Sequence, residues 1–179
     1  ETRWPQHQAA WRTEEHTPES FAQRGCVDGF AFCSVLTAPW RKGSNFESLQ
    51  VLATDHDEAA LEALLEDTFI QDHAALVYET VSSTLEKPRS RAVYILDQPI
   101  KKAVYARLAY RALIAHFANG GPDTKADEAC KDPTRFFYGR PHTRHVVLGN
   151  ILYTDTLQDV IEAYSRATTR LRPAFAARS

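Results

Sequence analysis

The run Leu49-Gln50-Val51-Leu52-Ala53-Thr54 reads as a buried strand, and it ends in Asp55-His56-Asp57. Residues i and i+2 of a strand face the same side, so Asp55 and Asp57 present two carboxylates side by side at the strand end. Thr54 and His56 project to the other side. Carboxylates that close repel each other unless a cation lies between them, so the pair calls for a third carboxylate and for basic surface for phosphates elsewhere in the chain. Hard, oxygen-preferring divalent ions such as Mg²⁺ or Mn²⁺ suit such a pair. Asp57 also suits the N-cap of the helix that follows, although a cap needs one aspartate and not two.

The remaining pattern sets the fold class. Aromatic and β-branched residues over 28–36 read as a strand after the Asp28-Gly29 turn, and Thr17-Pro18 reads as a helix start. Leu61, Leu64, Leu65 and Phe69 recur at helical spacing over 57–69. Strands are expected over 74–83 and 91–96, joined as a hairpin, with Pro99 ending the second. A helix over 101–118, closed by Asn119-Gly120, leads to a Pro/Asp/Lys-rich loop, a last strand over 146–153 and a last helix over 156–170. Strand pairs alternating with helices give an α+β protein, a mixed or antiparallel sheet with helices packed on it.

Charge is distributed unevenly although the net charge is only −2. Glu47 to Asp67 contains seven acidic residues and no Lys or Arg, whereas Lys87 to Arg111 contains seven basic residues against Asp97 alone. Local basic surface of this kind suits phosphates whatever the average charge. Cys26, Cys33 and Cys130 are odd in number and lack metal-ligand spacing, which points to buried thiols in a reducing cytoplasm. No apolar run is long enough to span a membrane. A start at Glu1 and the absence of Met point to a piece of a larger protein.

Three downstream carboxylates, Asp127, Glu128 and Asp132, are candidates to join the pair, and spacing does not choose among them. Arg89 and Arg91 share one strand face, and arginine suits bidentate phosphate contacts. Ser82 and Ser83 supply hydroxyls just before them, and Arg41, Lys42 and Lys87 supply further positive charge. His142 and His145 lack a third ligand for zinc. Phe136 and Phe137 suit the core, and Tyr138-Gly139 could meet a base or sugar at a sheet edge.

In order along the chain, three pieces resemble one family. Val51-Leu52-Ala53-Thr54-Asp55-His56-Asp57 is similar to the hydrophobic-hydrophobic-Asp-x-Asp signature of the archaeo-eukaryotic primase superfamily, the primase-polymerases. The stretch over 80–100 resembles the Ser-rich, Arg-x-Arg, Leu-Asp-x-Pro-Ile segment of its bacterial, plasmid and phage members. The stretch over 127–139 resembles their Asp-x-x-x-x-Asp-x-x-Arg-Phe-x-Tyr-Gly element. The resemblance implies an RRM-like sheet over about 71–179 with a small N-terminal αβ lobe over about 1–70, forming a single catalytic domain. It implies that Asp55, Asp57 and Asp127 hold Mg²⁺ or Mn²⁺ and that Ser82, Ser83, Arg89, Arg91 and Arg135 meet NTPs or dNTPs. Arg41, Lys42, Lys87 and the basic face of the 101–118 helix would track a single-stranded DNA template. A helicase or accessory replication domain is the expected partner. Arg91 stands where many members carry a phosphate-contacting His, and Ser83 where close relatives carry one. That departure favours an alternative, a non-catalytic nucleic-acid-binding initiator module. A metal-dependent nuclease is a third reading, and it lacks a general base.

Overall fold

The computed structural model describes residues 11–118 and 125–176, with side chains through Thr169. Its helices are α1 (Pro18–Ala22), α2 (Leu61–Glu66), α3 (Thr68–His73), α4 (Ala103–Ala118) and α5 (Thr154–Ala176). Its strands are β1 (Val35–Leu36), β2 (Phe46–Asp57), β3 (Leu76–Glu79), β4 (Arg89–Ile100) and β5 (His145–Val147). The strands form one antiparallel sheet in the order β1-β2-β4-β3-β5. The protein is therefore α+β, with the β3–β4 hairpin in the expected place.

Two layers cover the sheet, and the alternation of β2 assigns its residues between them. Leu52, Thr54 and His56 face the main helical layer: the His56 ring meets Phe117 of α4 edge-on at 5.0 Å, and Tyr94 beside them packs near Phe69 of α3. Thr54 Oγ1 and His56 Nε2 are 2.8 Å apart and fully buried, so this pair is satisfied inside the core. Ala53, Asp55 and Asp57 face the opposite side with their register partners Val93, Arg91 and Arg89. There Phe32 stacks on Phe137 at 5.4 Å and their backbones exchange hydrogen bonds in both directions. One apolar core runs from Ala22 to Ile161. Residues on both sides of position 70 thus share one sheet and one core, because β2 pairs with β4.

Several expected elements are shorter or broken. The helix over 57–69 is two helices, starting only at Leu61 after Glu58 turns the chain with φ 67°. Asp57 therefore caps nothing, and Asp67 is the cap, accepting the Ile70 N–H at 3.1 Å to begin α3. The strand over 28–36 reduces to β1 and a bridge at Phe32, which pairs with Phe137 instead of the sheet. β4 continues through Pro99, which has no N–H to donate, because the β2–β4 register shifts between Leu49 and Val51 opposite it. The strand over 146–153 stops after Val147 at Gly149, φ 73°, leaving a bridge from Leu152 to Leu96. Asn119-Gly120 lies outside the described residues. No helix among the described residues is long and apolar enough to cross a membrane.

Candidate functional site

Because β1 pairs only with the start of β2, the far half of the β2 edge is left for another segment. The turn that opens the 3₁₀ helix Glu128–Lys131 fills it. Asp127 N–H donates to Asp55 O at 2.7 Å, and the buried Cys130 Sγ accepts the Asp55 N–H at 3.4 Å. Edge pairing is what brings Asp127, out of three possible acids, beside Asp55. Its side chain also caps the 3₁₀ helix, accepting the Ala129 N–H at 3.0 Å. Asp132 instead takes Arg41 at 2.9 Å and the Thr134 N–H and hydroxyl at 3.0 Å each. Glu128 pairs with Lys131 on the surface.

Three arginines compensate the three carboxylates. Arg91 Nε donates to Asp55 Oδ1 at 2.5 Å, while its Nη1 donates to Tyr78 Oη at 2.6 Å and Tyr138 O at 2.7 Å. Tyr78 Oη also donates to Tyr138 O at 3.0 Å. Burial works against the Arg91 charge, yet Tyr78 and Asp55 more than offset it and keep the guanidinium firmly protonated. Arg135 Nη2 lies 3.2 Å from Asp55 Oδ2 and 3.9 Å from Asp127 Oδ2. Arg89 Nε lies 3.5 Å from Asp57 Oδ1 at the rim. These groups, with Thr80, Ser82, Ser90 and Tyr138, line a cavity of about 360 Å³.

The segment holding Arg135 and Tyr138 is seated by a close backbone approach at Gly139. A Cβ there would lie 2.3 Å from Phe30 O and 2.4 Å from Gly25 O, so only glycine fits. The Tyr138 ring is left half exposed at the cavity, braced edge-on by Phe136 at 4.9 Å.

Asp55, Asp127 and Cys130 each place a ligand atom within 4.8 Å of the others, close enough to hold a metal ion. The two carboxylates fit a hard divalent ion. Cys130 is the softer third donor of this group; its sulfur accepts the Asp55 N–H, and burial pushes its thiol up to about 12.

The other expected site residues divide. Ser82 lines the cavity, whereas the Ser83 hydroxyl accepts the Arg89 N–H at 3.0 Å and closes the hairpin turn. Arg91 lines the cavity but is buried and bonded inward, so it serves Asp55 before any phosphate. Arg41 is held by Asp132 and by Thr134 O at 2.6 Å, with its guanidinium over Phe136. Lys42 and Lys87 are exposed and outside the cavity lining. Arg107 and Arg111 lie on α4, whose Phe117 packs on the sheet face opposite the cavity. Tyr78 and Cys130 were not expected at the site. Tyr78 was legible only through its register position opposite Arg91. Comparison with family models, curated proteins and solved structures finds no match to this chain.

Proposed function

We propose that the protein is a template-dependent nucleotidyltransferase of the primase-polymerase kind, extending or starting a strand from NTPs or dNTPs with Mg²⁺ or Mn²⁺. The observation that supports this reading is convergence. Asp55 and Asp57 from β2, Asp127 from the edge turn, Arg89 and Arg91 from β4, and Arg135 meet in one 360 Å³ cavity. Nucleotidyl transfer needs these two chemistries together, carboxylates for divalent ions and guanidiniums for a triphosphate.

In this reading Asp55, Asp57 and Asp127 hold the ions, Asp57 from the rim. When bound, the ions activate the attacking 3′-hydroxyl and offset charge on the departing pyrophosphate. Arg91 pairs with Asp55 and holds its carboxylate at the cavity. Arg89, Arg135 and the Ser82 hydroxyl donate to phosphate oxygens. Tyr138 offers a planar surface for a base or sugar, its backbone carbonyl pinned by Arg91 and Tyr78.

A second reading, a non-catalytic nucleic-acid-binding module, draws on a specific observation: both Asp55 oxygens are already engaged by Arg91 and Arg135. One assay separates them. The protein is incubated with single-stranded DNA, labelled nucleotides and Mn²⁺, beside Asp127→Asn, which keeps the cap acceptor and removes the charge. Labelled product from the wild type alone is expected. Template binding without product would establish the module, and template degradation a nuclease.

A further inference from the structure

The three guanidiniums of the cavity are held very differently, and that difference carries a consequence for Arg135. Arg91 is 7% exposed and bonded to a carboxylate, a phenol and a carbonyl. Arg135 is 28% exposed, and among the described residues its side-chain polar contacts are to carboxylates, Asp55 at 3.2 Å and Asp127 at 3.9 Å. Its backbone N–H is fixed to Asp132 O at 2.9 Å, and its guanidinium lies 5.6 Å from the Phe137 ring centre. The backbone is anchored, while the end of the side chain rests on two ion pairs and is more exposed than that of Arg91.

A single Nη2 group thus stands between the same two carboxylates that fit a hard cation. A divalent ion held by these two carboxylates would compete with it for them. We infer that Arg135 is an exchangeable cation: it neutralises Asp55 and Asp127 until a divalent ion displaces it, and the displaced guanidinium then takes the triphosphate. This deepens, and rests on, the nucleotidyltransferase reading. A metal arriving alone costs Arg135 its carboxylates and returns nothing, so it binds weakly. A triphosphate supplies the new partner, so metal and nucleotide favour each other's binding, and the coupling is reciprocal. The protein then avoids holding a bare divalent ion against an empty cavity.

Arg135→Gln tests this without relying on activity. Free Mn²⁺ is titrated by electron paramagnetic resonance with no nucleotide present, and dATP binding is then measured at saturating Mn²⁺. Relative to the wild type, Arg135→Gln should bind Mn²⁺ about tenfold more tightly, the equivalent of about 1.4 kcal/mol, and dATP about tenfold more weakly. Arg135→Lys, a point charge without the planar fork, should show the same crossed pattern at smaller size and serves if the Gln variant does not fold. Equal or weaker Mn²⁺ binding in both variants, with dATP binding intact, overturns the exchange role and leaves the enzyme reading standing. Failure of the wild type and both variants to bind either Mn²⁺ or dATP overturns both.

Discussion

Two adjacent rungs of the sheet carry the same chemistry and use it differently. Asp55 faces Arg91, and two residues on Asp57 faces Arg89, both across the antiparallel β2–β4 pair. The Asp55 and Arg91 side chains are 11% and 7% exposed, whereas those of Asp57 and Arg89 are 53% and 40% exposed. The inner rung is closed over by Phe137, Tyr78 and the Asp127–Cys130 edge. Among the described residues nothing comparable covers the outer rung, whose ion pair stretches to 3.5 Å. Depth along the strand, not residue type, separates a charge pair that builds the site from one that remains available to a ligand.

Arg91→Ala should break this comparison hardest. It leaves Asp55 with only Arg135, and strips Tyr78 Oη and Tyr138 O of a donor in a buried place. Removing one member of a buried pair costs about 3–5 kcal/mol, so urea unfolding should show a loss of that order. Arg89→Ala should change stability by less than about 1 kcal/mol. If the two variants unfold at the same urea concentration, the inner rung is not the anchor.

Alkali presses on the buried side more mildly. Burial pushes the Cys26, Cys33 and Cys130 thiols up to about 12. A group raised on folding contributes fully below its unfolded value and loses that contribution as the pH climbs to its folded one. Stability should therefore hold up to pH 9.0, where an unfolded thiol ionises, and fall steadily toward about 12. Thermal melts across that range check it, and Cys130→Ala should flatten part of the decline. A melting temperature that rises between pH 9 and 11 would contradict the burial of these thiols.

The sequence made the inner and outer rungs look alike, because alternation reports which face a side chain takes and says nothing of what lies over it. It did place Asp55, Asp57, Arg89 and Arg91 on one face and His56 on the other. It also carried the α+β class and the hairpin. It left the choice among Asp127, Glu128 and Asp132 open, since that choice depends on which backbone group reaches the unpaired edge of β2, a contact across more than seventy positions. The partners of Arg41 were hidden for a related reason: a surface-type residue in a loop was free to find Asp132 and Phe136 once the chain folded. The Asp57 cap failed because Glu58 takes a left-handed conformation that no cap pattern signals.

The smallest effect on stability is the sharpest test of function. Asp57→Asn removes one charge from an exposed pair at 3.5 Å, a change of about 0–1 kcal/mol, and it keeps the shape of the side chain. The fold and the Asp55 network should survive, so the melting temperature should stay within a few degrees of the wild type. Mn²⁺-dependent dATP binding should nevertheless be lost, because the rim carboxylate is the part of the site that the fold has left uncommitted. Isothermal titration of dATP with and without Mn²⁺ reads this directly. Unchanged metal-dependent binding in Asp57→Asn would mean that the outer rung is as structural as the inner one, and that exposure alone does not mark a carboxylate as a ligand.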